Sequence, residues 1–297
     1  MENQNYRKPR NPRPLQKRSS PYKKVLSIVL FAALTLVLIY ILLVAIFGFT
    51  SKAVTVTQAD GSEIRISFLG FMKDGVATSG SISTSEGVKG SVSSYEREDG
   101  SNVTRITYKD GSVYEGELDG FVRSGKGSLS YANGDIYVGE FKNDEIDGYG
   151  KFTYYSTGDT YEGEVHNAQK VGYGKYSYYE GTVYEGNYEN DMPNGYGKLT
   201  FYDGSVYEGN FINGARQGKG KYTFSNRDVY EGDFVNGKAD GTGVYAFACG
   251  DKYEGQFADG KINGEGKYTW ADGRDYTGTF ENGIAVYVAD SNEENSQ

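Results

Sequence analysis

Two hydrophobic patterns divide this chain of 297 residues. Val25 to Phe47, "VLSIVLFAALTLVLIYILLVAIF", is an unbroken apolar run of 23 residues without a charge. As a helix it extends about 35 Å, enough to cross a bilayer core of about 30 Å, and it predicts a transmembrane helix over 25–49. Farther on the apolar residues stop clustering. Aromatic and polar positions alternate in short stretches broken by Gly, Asn and Asp, and the alternation recurs. Tyr-x-Gly units begin at Tyr114, Tyr137, Tyr161, Tyr184, Tyr207, Tyr230, Tyr253 and Tyr276, 23 residues apart except for one 24-residue unit with its extra residue in "STGDT".

Each unit reads Tyr-x-Gly-x-aromatic, a polar turn, then Gly-x-Gly-x-aromatic-x-aromatic and a second turn such as "YDGSV". Two alternating runs joined by Asn/Asp/Gly turns are the signature of a β-hairpin. With a period of two, Tyr184, Gly186 and Tyr188 share a face with Gly197, Leu199 and Phe201 of the return strand, and the other face is polar. Stacked units then align columns of rings: Tyr114 through Tyr253; Phe141, Tyr188, Phe211, Phe234 and Phe257; and Tyr154, Tyr178, Phe201, Phe224, Phe247 and Trp270. Glycines beside the columns leave room for the rings. One unit cannot bury its own aromatic face, so stability comes from neighbours. The expected fold is all-β, an elongated single-sheet solenoid of consecutive β-hairpins preceded by one transmembrane helix. It rises about 10 Å per unit, or about 70 Å for seven.

The motif "YEGEF...G.GK.TY..G" resembles the MORN (membrane occupation and recognition nexus) repeat from Tyr114 to about Gly283. The resemblance implies a sheet of consecutive hairpins and roles in scaffolding, self-association or membrane-proximal attachment, and it implies no reaction. Upstream, 91–113 keeps the 23-residue rhythm with Ser93, Asn102 and Thr104 where glycines belong, and 68–89 fits with a shortened turn. Five regions follow: a disordered basic tail at 1–24, the membrane helix at 25–49, degenerate repeats forming an amino-terminal cap at 50–113, the MORN array at 114–283, and a C-terminal cap with an acidic tail at 284–297.

Charge adds direction. The first 50 residues hold eight of the 31 basic residues and one of the 40 acids, leaving 23 minus 39, or −16, for the remainder. Basic residues before the apolar run keep that end in the cytoplasm and send the repeats outward. Pro9, Pro12, Pro14 and Pro21 argue against a helix in the tail. "SKA" at 51–53 offers a signal-peptidase site near Ala53, but the apolar run exceeds an ordinary 7–15-residue signal core, which favours a retained anchor in a single-pass cell-membrane protein. A −16 domain disfavours nucleic acid.

Chemistry is thin. The single histidine, His166, lies in a turn, and the single cysteine, Cys249, stands where sister units have small or polar residues. Neither a nucleophile–base pair nor a metal ligand set can be assembled, and no cofactor is expected. "NDEIDG" at 143–148 has Tyr154 where a calcium loop requires Glu. The column Glu115, Glu162, Glu185, Glu208, Glu231 and Glu254 suits pairing with Lys151, Lys175, Lys198, Lys221 and Lys267 better than glycosidase work, which needs two acids in different environments.

One departure from the average unit stands out. Between the paired glycines, Tyr149, Tyr173 and Tyr196 replace the Lys126, Lys219, Thr242 and Glu265 of other units. The same units carry Tyr155, Tyr179 and Tyr202 against Ala132, Ser225, Ala248 and Ala271. Tyrosine offers rigid area with a hydrogen-bonding tip and suits recognition, although cross-strand stiffening accounts for it equally. These six are the candidate ligand-binding residues of a non-enzymatic, membrane-anchored scaffold or binding module. The expected partner is an extracellular protein or an envelope polysaccharide. The alternatives are a surface glycan hydrolase acting through carboxylates and a spacer that self-assembles as a homodimer through one end.

Overall fold

The computed structural model describes residues 21–58, 60–98 and 100–286. Two compact units emerge, Met1–Thr50 and Ser51–Gln297. The first contains helix α1, Pro21–Phe47. It starts four residues before the expected 25, because proline is favoured at a first helical position, and stops before 49 because Gly48 takes φ 68°, the left-handed turn that ends helices. Within it Ile28–Ile46, of mean hydropathy 3.1, is long and apolar enough to cross a membrane. The expected basic tail lies outside the described residues through position 20.

The second unit is one open antiparallel sheet of 21 strands in which strands pair with their chain neighbours. Strands β1 (Phe49–Thr57), β2 (Glu63–Lys73), β3 (Val76–Thr84), β4 (Lys89–Glu96) and β5 (Asn102–Tyr108) precede the array, and the last strand is Ile284–Ala285. Residues 287–297, the rest of the expected C-terminal cap and acidic tail, lie outside the described residues.

The fifth repeat, from Tyr207, shows how a unit is built. Its strands Val206–Ile212 and Ala215–Thr223 are joined by Asn213 and Gly214 at φ 48° and 79°, the two left-handed residues of a type I′ turn. Gly209 lies opposite Gly220. The Tyr207 ring lies flat on this pair, since a Cβ on Gly220 would meet it at 2.5 Å. Its hydroxyl donates to the Asn210 carbonyl at 3.0 Å, where the register slips between Gly209 and Phe211. Phenols of Tyr114, Tyr137, Tyr161, Tyr184, Tyr230 and Tyr253 make the same bond three residues ahead. This use of the hydroxyl accounts for tyrosine over phenylalanine, and all seven rings are buried. Edge-to-face contacts bind units together: Tyr207 meets Phe211 at 5.2 Å and Phe234 of the next unit at 4.9 Å.

Both edges of the array are zipped by turns. On one, the second turn residue donates its N–H to the preceding unit, as Gly237 does to the Arg216 carbonyl at 2.9 Å. On the other, Asp159, Asp228 and Asp251 accept N–H groups of Tyr179, Ala248 and Ala271 at 2.8–2.9 Å. The same three carboxylates accept the phenols of Tyr176, Tyr245 and Tyr268.

The worn repeats differ from one another. The β2–β3 hairpin keeps a pair, Gly70 opposite Gly80, with the Phe68 ring against it. The β4–β5 hairpin sets Ser94 opposite Thr104 instead. The early strands also cover the first units. Phe68 stacks on Phe121 at 5.6 Å, Ala77 N–H donates to the Gly120 carbonyl at 2.8 Å, and Asn143 Nδ2 donates to the Thr57 carbonyl at 3.4 Å.

Candidate functional site

Tyr149, Tyr173 and Tyr196 sit in the strands Glu145–Thr153, Gln169–Ser177 and Met192–Thr200, at the slip in register. Their backbones are each held by a side chain of the preceding strand. Glu140 accepts the N–H of Tyr149 at 3.0 Å and Glu164 that of Tyr173 at 3.4 Å, as Asp233 accepts that of Thr242 and Gln256 that of Glu265, both at 2.9 Å. Asn187 Nδ2 donates instead to the Tyr196 carbonyl at 3.2 Å. The side chains are therefore free to vary, and these three rings stand 54, 58 and 61 % exposed on the polar face.

Tyr155, Tyr179 and Tyr202 occupy the turns between units and are 76, 82 and 75 % exposed. Tyr155 and Tyr179 lie over the glycine of the preceding turn, Gly134 and Gly158, so that a Cβ there would meet ring carbons at 2.8 and 2.9 Å. The sheet does not merge the two rows. Six residues along a strand separate Tyr149 from Tyr155, about 20 Å, with Lys151 between them. The charged face around the first row includes Lys175–Glu185 and Lys198–Glu208 pairs at 3.3 and 3.1 Å.

Other residues weighed from the sequence are engaged as follows. His166 Nδ1 lies 2.9 Å from Asp147 Oδ2 at an exposed strand end. Asp144 of the calcium-like stretch pairs with Arg123 at 2.9 Å. Cys249 is exposed in its turn. Among the described residues no group of three His, Cys, Asp or Glu side chains converges.

A set of cations on the aromatic face was missed. Two residues past the hairpin turn stand Arg123, Ile146, Lys170, Pro193, Arg216, Ala239 and Ile262 in successive units. Arg123 lies over Tyr108, Tyr114 and Phe141, Lys170 over Tyr154, Tyr161 and Tyr176, and Arg216 over Phe201, Tyr207, Tyr222 and Phe234, at 5.2–6.0 Å. The signal was present: stepping back by two from Gly220 through Gly218 reaches Arg216 on the ring-bearing face. Burial pulls the Arg123 guanidinium down, but Asp144 together with Tyr108 and Tyr114 outweighs it and the net shift is upward. Burial lowers Arg216, and the nearby Tyr222 and Tyr207 only partly offset it.

Hairpins in register, rings on glycine pairs and turn-zipped edges define a repeat protein of the stacked-hairpin class. A MORN repeat model matches residues 114–136, 137–158, 161–183, 184–206, 207–229, 230–252 and 253–273, more than half the chain, and the protein belongs to the MORN repeat family. Nothing among curated proteins matches it. Among solved structures, a virginiamycin B lyase from Staphylococcus aureus is similar at 12 % identity over 78 % of this chain and 74 % of that one, with a TM-score of 0.15.

Proposed function

We propose that this MORN protein is a non-enzymatic binding module held at a membrane by α1, with its repeat sheet displayed on the side opposite the basic amino terminus. The apolar helix and the eight basic residues before it support the anchored, outward orientation. The observation that carries the binding role is the exposure of Tyr149, Tyr173 and Tyr196 on a face where four sister units place Lys, Thr or Glu at the same position. A purely structural demand would recur in every unit. Tyr155, Tyr179 and Tyr202 extend the surface along the turn edge. Phenol faces and hydroxyl tips suit an extracellular protein or the sugar rings of an envelope polysaccharide, in an association only weakly sensitive to salt.

The test is the triple change Tyr149→Ser, Tyr173→Ser and Tyr196→Ser in the full chain. Thermal stability should be nearly kept, while retention on envelope fractions falls at least tenfold. Unchanged retention by a folded variant defeats the proposal, and collapse of stability assigns the tyrosines to packing. Protease added outside intact cells should remove the repeats and spare a tag at Met1.

A further inference from the structure

The three cations of the aromatic face are not equivalent. Arg123 pairs with Asp144 at 2.9 Å and Lys170 with Asp191 at 3.2 Å. Both acids are the second residue of the next hairpin turn, at φ 71° and 67°. At that step after Arg216 the chain has Gly237, φ 82°, and among the described residues no carboxylate pairs with Arg216. One guanidinium nitrogen instead donates to the Gly237 carbonyl at 2.5 Å. A Cβ on Gly237 would lie 3.6 and 3.8 Å from two guanidinium nitrogens, so the missing acid belongs directly above this cation.

What lies over the two arginines also differs. Ile64 and Ile82 of the early strands line the cleft that holds Arg123. Arg216 opens instead into a cleft of about 480 Å³ walled by Tyr222, Phe224, Tyr245 and Phe247, with Ala239 and Ile262 at its floor. Ala239 and Ile262, shorter than the Arg or Lys at that step in three sister units, leave the space. That volume falls in the ordinary range of small-ligand sites, about 300–1,000 Å³. Of the lysines at its rim, Lys238 pairs with Asp259 at 2.9 Å and Lys261 donates to Asn282 at 3.3 Å, leaving Arg216 as the cation without a side-chain acid or amide partner among the residues lining the cleft.

We propose that this cleft is a binding site for a small ligand carrying one carboxylate and one six-membered ring, the carboxylate taking the place over Arg216 that Asp144 takes over Arg123, and the ring lying against Tyr222, Phe224, Tyr245 and Phe247. A planar guanidinium matches a carboxylate through two parallel hydrogen bonds, and the neighbouring rings offer faces for stacking. A single charge is favoured over a polyanion because residues 51–297 carry a net −16. The site lies on the opposite face from Tyr149, Tyr173 and Tyr196 and does not depend on them.

The experiment uses the full-length chain in detergent and titrates it with benzoate, 3-phenylpropionate, glucuronate and galacturonate, each beside its neutral amide, by calorimetry and ligand-observed NMR. At least one acid should bind saturably with one site per chain, tenfold or more tighter than its amide. The phenyl and uronate arms decide whether the ring is aromatic or a sugar. Arg216→Gln should weaken that acid at least tenfold. Gly237→Asp, which keeps the guanidinium and copies the Arg123–Asp144 arrangement, should abolish binding while raising the melting temperature. Absence of saturable binding by all four acids, equal binding of acid and amide, or undiminished binding by the Gly237→Asp protein overturns the proposal.

Discussion

The first and fifth repeats begin alike and finish differently. Each sets a buried tyrosine on a glycine pair, and each puts an arginine over the rings two residues past the hairpin turn. In the first, Asp144 neutralises that arginine and Ile64 and Ile82 of the early strands wall one side of its cleft. In the fifth, Gly237 replaces the acid and the rings border an open cleft. The inner layer of ring on glycine is thus complete within and between repeats, whereas the outer layer is where repeats diverge. The Tyr207 phenol, pushed up to about 12 by burial, stays a protonated donor to its carbonyl across the physiological range, with or without a roof.

The largest effect should test that inner layer. Tyr114→Ala and Tyr207→Ala should each cost about 3–5 kcal/mol locally, as aromatic truncations in cores do, and by similar amounts. Hydrogen exchange in the two repeats checks this, and a much greater loss for Tyr114 would tie the inner layer to the roof. Next comes the outer layer. Asp144→Ala leaves Arg123 half-buried without its carboxylate and should cost about 2–3 kcal/mol, less than a fully buried pair because both partners keep some exposure. Arg216→Met loses no such pair and keeps a side chain to cover the same rings, so it should cost less than about 1 kcal/mol by urea denaturation.

Acid sharpens the comparison further. Hydrogen bonds outweigh burial to hold the Asp159 carboxyl below its ordinary range, through the Tyr179 N–H and the Tyr176 phenol. The Ala248 N–H lowers Asp228, and the Tyr268 phenol and Ala271 N–H lower Asp251. A depressed folded-state pKa contributes stability above the unfolded value of about 3.9, and that stability is lost as pH falls through the lower folded value. The matching acceptor at the first repeat is the Ser112 hydroxyl, which takes the Ala132 N–H at 3.3 Å and does not titrate. Lowering pH from 6 to 3 should therefore increase amide exchange around Tyr179, Ala248 and Ala271 more than around Ala132. Changing Asp159, Asp228 and Asp251 to Asn should flatten that dependence. The smallest effect is on the polar face: Glu208→Ala, which breaks an exposed pair with Lys198, should cost well under about 1 kcal/mol.

The hairpins, their faces and the ring columns were legible because Tyr-x-Gly and Gly-x-Gly impose a two-residue period that repetition amplifies. The exposure of Tyr149 and its five counterparts could be expected from the same alternation, but their division into two separated rows follows from the distance between strand and turn. The covering of the first repeat by Phe68, Ile64 and Ile82 was not legible, since it depends on contacts between segments tens of residues apart with no shared motif. Arg123, Lys170 and Arg216 were passed over because basic residues were assigned to the polar face by type, although their spacing placed them among the rings. The early start of α1 was not expected because Pro21 reads as a helix breaker where it serves as the first residue.

The pairing of each strand with its chain neighbours also sets how the array meets mechanical load. Interstrand hydrogen bonds run across the strands, and so along the direction in which repeats succeed one another. Tension applied along that direction after Tyr161 pulls the strands apart pair by pair, in a peeling rather than a shearing geometry. Each detached repeat would release 23 residues of chain, on the order of 70 Å of new length for about 10 Å of sheet consumed. A sheet paired in this way yields in small, repeatable steps at low force, with breakage of one repeat leaving the next still closed.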